Sequence, residues 1–139
     1  MGDSNSHLHH AIEELSKSIE IQAVSSFYKT SPVGGPAQDD FLNAVLIAET
    51  GIDPLDLLVI MQEIELMAGR IRDLHQGPRT LDLDLISYGD MVVGEPHLTL
   101  PHPRAFERTF VLEPWLEIDP TAILIGYGRI SELLSSIKR

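Results

Sequence analysis

The sequence predicts an α+β fold, a sheet with helices packed on one face. Three observations lead there. The periodic segments run in the order helix, strand, strand, helix, strand, hairpin, helices. Segment 80–87, TLDLDLIS, alternates apolar and polar residues over most of its length, the signature of a half-buried strand. Between them, Leu57, Leu58, Met61, Ile64 and Leu66 give apolar surface to a helix that Pro54 opens.

In chain order, Asp3, Ser4 and Asn5 are candidate N-caps for a helix over 7–18, whose apolar positions are Leu8, Ile12 and Leu15, with Ile19 just beyond. Residues 19–28 are rich in β-branched and aromatic side chains and predict a strand. Residues 29–40, KTSPVGGPAQDD, read as a loop from their proline and glycine content, and 41–50 as a second strand. The helix from Pro54 is expected to end near Met67, with a second loop over 69–78. After the strand at 80–87, residues 91–93 are expected to return as its hairpin partner across Tyr88-Gly89-Asp90. A short extended piece at 97–100 ends in Pro101-His102-Pro103. Residues 110–117 can be helical despite Pro114, and 130–137 predict a C-terminal helix.

At 139 residues the chain fits one domain, 1–139, long enough to bury a core without disulfides. It has no cysteine, which excludes a disulfide framework and a thiolate zinc site. No apolar run approaches the roughly 20 residues that cross a bilayer. The polar N-terminus, MGDSNSHLHH, reads as neither signal peptide nor anchor, so a cytoplasmic location is the expectation. A formal net charge of −11 argues against nucleic-acid and anionic-membrane partners.

The charge is unevenly spread. Residues 1–69 hold no arginine, whereas 70–108 hold five of the seven. That arginine-rich segment also carries a Gly-Pro-Arg turn and paired aspartates. A solvated mixed-charge surface would look like this. So would a site for a polyphosphate and its divalent cations.

Asp82 and Asp84 are the first candidates. On a strand, positions i and i+2 project from the same face, about 6.6–7 Å apart at the backbone. Their carboxylates could together grip one or two hard cations while Leu81, Leu83 and Leu85 face the core. Magnesium takes oxygen ligands and keeps water and phosphate in its shell, so two protein carboxylates suffice. The plainer alternative is two aspartates facing water. Aspartate is depleted in strands, however, so two within three residues carry a cost that function would explain.

Arg79 directly precedes this strand, and Arg70 and Arg72 end the preceding helix. Guanidinium groups bind phosphoryl oxygens bidentately and offset charge on a transferring group; at a helix C-terminus they also suit the dipole without any ligand. Gln62 and Glu65, three apart, share one helix face. Phe41 and Asn43 share one face of their strand, an aromatic platform beside an amide that suits a flat heterocycle, or else core packing and edge chemistry. His102 lies between prolines with Arg108 and Phe110 following. Neither H-E-x-x-H nor a glycine-rich phosphate loop is present, so any ATP would be held by metal and arginine.

Gly69-Arg70, Gly77-Pro78-Arg79-Thr80-Leu81-Asp82-Leu83-Asp84, the run 98–103 and the run 108–112 resemble the signature of the 6-hydroxymethyl-7,8-dihydropterin pyrophosphokinase family. Residues 25–30 and 40–44 resemble that family's earlier blocks. The resemblance implies a ferredoxin-like α+β fold and transfer of pyrophosphate from ATP to the pterin hydroxymethyl group, releasing AMP, in folate biosynthesis. It implies that Asp82 and Asp84 bind two magnesium ions and that Arg70 and Arg79 engage the phosphates. Gln62, Glu65, Arg72, Leu85, His97, Thr99, His102 and Arg108 match the nucleotide site. Thr30, Val33, Phe41, Asn43 and Phe110 match the pterin pocket, with Phe41 and Phe110 on either side of the ring. A neighbouring folate-pathway enzyme is a candidate partner.

Three departures stand out. Gln76 replaces a common aromatic residue, and His75 a common arginine. The family's first strand, which runs into Gly-Ser-Asn, has no counterpart here, so the sheet is expected to lack a central strand and this form to be impaired. Two rival readings follow: a degenerate pterin- or nucleotide-binding module without catalysis, and a magnesium-dependent phosphatase or nuclease. Loops 29–40 and 69–78 are expected to close over substrates.

Overall fold

The computed structural model describes residues 2–30, 41–71 and 81–138. Four α-helices and eight short strands are present among them, an α+β fold as expected. The strands associate in pairs: β1 (Glu20–Val24) with β4 (Leu46–Glu49), β2 (Tyr28–Thr30) with β3 (Phe41–Asn43), β5 (Val93–Glu95) with β6 (Leu98–Leu100), and β7 (Ile123–Leu124) with β8 (Gly128–Arg129). The chain divides into two compact units, one of Met1–Gln22, Lys29–Leu42 and Ala48–Leu83, the other of Ala23–Tyr28, Asn43–Ile47 and Asp84–Arg139.

In the first unit, α1 (Gly2–Leu15) packs against α2 (Pro54–Ile71). Ala11 and Leu15 are buried on α1, and Leu57, Met61, Ile64 and Ala68 on α2, spacings of four, three and four that mark one helical face. Neither helix keeps its expected bounds: α1 ends at Leu15, three residues short of the expected end at Ser18. α1 begins at Gly2, with Asp3, Ser4 and Asn5 inside it, and α2 runs a turn past Met67, taking Gly69 and Arg70 into the helix.

The second unit is built on α3 (Thr109–Ile118) and α4 (Ile130–Lys138). Its core joins Val111, Leu112 and Trp115 of α3 to Ile130 and Leu134 of α4, with Ala105, Ala122 and Leu124. Pro114 removes the amide that would bond to the Phe110 carbonyl. The helix persists, and Pro114 is itself buried. β7 and β8, each two residues long, lie below what periodicity can detect. Gly126 and Gly128 supply the positive φ angles their turn requires (83° and 122°).

The predicted strands at 19–28 and 41–50 are each interrupted. Residues 25–27 and 44–45 fall outside the strands: the Ser26 N–H goes to the Glu117 carboxylate and the Val45 N–H to Ser25 Oγ, while the Ser25 N–H still donates to the Val45 carbonyl. The Ser26 and Val45 donors are thus satisfied by side chains.

Segment 81–88 is not a strand, contrary to prediction; residue 80 lies outside the described residues. Its burial still follows the two-residue period, with Leu81 buried, Asp82 exposed, Leu83 half-buried, Asp84 exposed and Leu85 half-buried. It has no ladder partner among the described residues. The Leu83 N–H is instead taken by the Glu65 carboxylate and the Ile86 carbonyl by the His102 N–H. The expected hairpin with 91–93 is therefore also corrected. β5 pairs antiparallel with β6, Val93 opposite Leu100 and Glu95 opposite Leu98. Leu98 and Leu100 bury one face of that hairpin, whereas Met91 and Val92 stay exposed and give a strand nothing to pack.

Candidate functional site

α2 places Gln62 on its exposed side and Glu65 half-buried. Glu65 accepts the Leu83 N–H at 2.5 Å, which fixes the backbone directly between Asp82 and Asp84. Both aspartates are exposed, Asp82 in the first unit and Asp84 in the second. Exposed carboxylates are hard oxygen donors of the kind magnesium takes; among the described residues no group of three or more histidine or acidic side chains is placed to hold a metal ion. Each carboxylate by itself suits a hard ion that completes its shell with phosphate and water.

In the second unit, the Ile86 carbonyl accepts the His102 N–H at 2.8 Å. His102 Nδ1 accepts the Arg104 N–H at 3.2 Å, leaving the proton of the neutral ring on Nε2. Partial burial lowers the His102 pKa below its ordinary value. The Asp84 carboxylate opposes that shift, while the Arg108 and Arg104 guanidinium groups reinforce it. Asp84, Arg108 and Arg104 are thus each within electrostatic reach of His102. Arg108, the residue that precedes α3, sets its guanidinium carbon over the Phe110 ring, 5.4 Å from the centroid, in the cation–π range. Phe110, in the first turn of α3, is 36 % exposed.

The remaining candidates are less gathered. Thr30 ends β2 and Asn43 ends β3, both half-buried. Leu85 is half-buried in segment 81–88. His97 is exposed in the turn between β5 and β6, and Thr99 is exposed on β6 opposite Gly94. Phe41 begins β3, and Arg70 lies in the last turn of α2, but both side chains are outside the described residues, as are Val33, Arg72 and Arg79 entirely. Loop residues 31–40 and 72–78, with His75 and Gln76, also lie outside.

Sequence reasoning missed two participants. Arg104, whose N–H bonds His102 Nδ1, directly follows the Pro101-His102-Pro103 run and is one of the five arginines of 70–108. Glu117, which accepts hydrogen bonds from Ser26 and Tyr28, had no local signal, since its partners lie about ninety residues earlier.

Fold and site together define a small α+β protein that presents exposed carboxylate oxygens, a half-buried histidine beside Arg104, and an exposed aromatic ring. The family described as 7,8-dihydro-6-hydroxymethylpterin-pyrophosphokinase (HPPK) matches residues 1–120, and the chain belongs to it. Among its relatives, the bifunctional protein FolKE of Lactococcus lactis subsp. cremoris is 48 % identical over 120 residues, 85 % of this chain and 34 % of that protein. The chain thus spans about a third of FolKE. The 2-amino-4-hydroxy-6-hydroxymethyldihydropteridine pyrophosphokinase of Pseudomonas aeruginosa is 40 % identical over 126 residues, 91 % of this chain and 77 % of that protein. The enzyme of the same name from Mycobacterium tuberculosis is 46 % identical over 116 residues, 76 % and 62 % of the two chains. No helix among the described residues is long and apolar enough to cross a membrane.

Proposed function

We propose that the chain is a magnesium-dependent pyrophosphokinase that transfers pyrophosphate from ATP to 6-hydroxymethyl-7,8-dihydropterin, in the cytoplasm, on the way to folate. The hydroxymethyl oxygen forms a bond to the β-phosphorus of ATP and loses its proton. The bond from that phosphorus to the α–β bridging oxygen breaks, and AMP leaves. Family membership over most of the chain supports this reading. The observation that carries it structurally is the exposure of Asp82 and Asp84 while the alternate leucines turn inward.

On this reading Asp82 and Asp84 hold two magnesium ions, which supply charge neutralisation along the phosphate chain. Arg70 and Arg79 engage the transferring group. Gln62, Glu65, Arg72, Leu85, His97, Thr99, His102 and Arg108 receive the nucleotide, and Glu65 also holds the Leu83 N–H. Thr30, Val33, Phe41, Asn43 and Phe110 receive the pterin. No protein nucleophile is required, because positioning and electrostatics carry phosphoryl transfer. A neighbouring folate enzyme as partner is consistent with relatives named as bifunctional.

The test is AMP formation from ATP and magnesium with and without the hydroxymethylpterin. AMP only in its presence is expected. AMP or ADP formed without the pterin would indicate a hydrolase, and binding of both ligands without AMP would leave a binding module.

A further inference from the structure

Within the second unit, Ser25, Ser26, Tyr28, Val45 and Glu117 form one connected polar network. The buried Ser25 bonds Val45 twice: its N–H donates to the Val45 carbonyl at 2.8 Å, and its Oγ accepts the Val45 N–H at 2.9 Å. The Ser25 hydroxyl proton goes to the Ser26 carbonyl at 2.8 Å. The Ser26 N–H then donates to both Glu117 oxygens, at 3.0 and 3.2 Å, and Ser26 Oγ to Glu117 Oε2 at 2.9 Å. The Tyr28 hydroxyl donates to Glu117 Oε1 at 2.7 Å. A single carboxylate thus collects three donor groups from a segment remote in sequence, and charge-assisted bonds of this kind are stronger than neutral ones.

The ends of the network are informative. Val45 lies two residues after Asn43. Glu117 lies seven residues after Phe110 on the same helix, two turns and about 10 Å along the axis, so the two share one face. The segment is therefore anchored at Glu117 to the face of α3 that also carries Phe110 two turns away, and through Ser25 it is bonded to Val45, two residues beyond the strand that ends in Asn43. We propose that Glu117 is a positioning residue for the pterin: it sets the spacing between the amide of Asn43 and the ring of Phe110 without touching the ligand. This rests on the function proposed above.

The test compares Glu117→Ala, Glu117→Gln and Tyr28→Phe with the unaltered chain. Calorimetry with 6-hydroxymethylpterin and, separately, with a non-hydrolysable ATP analogue and magnesium gives the two affinities. Glu117→Ala is expected to weaken pterin binding about tenfold and nucleotide binding by less than about twofold; Tyr28→Phe, which removes one bond, about threefold for the pterin alone. Glu117→Gln keeps an acceptor oxygen and is expected to fall between them; with Tyr28→Phe it carries the test should the alanine variant fail to fold. Unchanged pterin affinity, or equal losses for both ligands, would overturn the inference. Absence of pterin binding by the unaltered chain would overturn the proposed function, and the inference with it.

Discussion

The Glu65 carboxylate accepts the backbone N–H of Leu83 at 2.5 Å, so a helix side chain grips the main chain midway between Asp82 and Asp84. Segment 81–88 has no strand ladder among the described residues, and this bond takes the place of one. Where a ladder would bond the backbone of a strand, here a side-chain carboxylate takes the Leu83 N–H.

Glu65→Ala is accordingly expected to leave the Leu83 amide without that acceptor and to cost about 1–3 kcal/mol of stability, seen as a lower urea midpoint. The turnover number should fall more than the Michaelis constant for the pterin rises, since the acids are misplaced rather than removed. A variant of unaltered turnover would show that the grip is incidental.

Asp82→Asn and Asp84→Asn each keep shape and remove charge. Nucleotide-analogue affinity measured with magnesium should drop at least about tenfold in each, whereas affinity measured in EDTA should change little. Equal affinities with and without the metal, in all three proteins, would leave these acids without a metal to bind.

Hydrogen bonds from Tyr28 first, and from Ser26, hold the Glu117 pKa below the ordinary carboxylate value. The folded state therefore binds this proton less readily than the unfolded chain. Stability from Glu117 is fully present above the ordinary value and is lost as pH falls through the depressed folded one. Unfolding midpoints measured from neutral to acid pH should fall less steeply for Glu117→Gln than for the unaltered chain. Parallel profiles would count against the shift.

Leu112 is fully buried at the centre of the second unit's core. Leu112→Ala should destabilise by about 2–5 kcal/mol, a large share of a domain's total of roughly 5–15 kcal/mol, and lower the melting temperature accordingly. A drop of under a degree would mean that the core closes over the lost volume.

The helices were legible because each buries one stripe at a spacing that the sequence displays. α3 and α4 match their predicted spans to within a residue, and α2 runs a turn past its expected end at Met67, through Gly69. Strands were less legible. Apolar alternation at 81–85 correctly gives which side chains face inward, but a strand also needs a neighbour, and that is not a property of its own residues. At the breaks, Ser25–Phe27 and Ala44–Val45, backbone amides bond the Glu117 carboxylate and a serine hydroxyl, partners that no local pattern announces. For the site, Asp82, Asp84, His102, Arg108 and Phe110 stood out by motif. The resemblance placed Glu65 in the nucleotide site, and the bond it makes to the Leu83 N–H beside the acids had no signal in the sequence.

An aromatic ring has two faces, and the guanidinium of Arg108 already covers one face of Phe110. A flat guest must therefore evict that cation or settle on the reverse side. In the second case it would stack against a ring polarised from behind, and the positive charge would then favour whichever guest is richest in electrons.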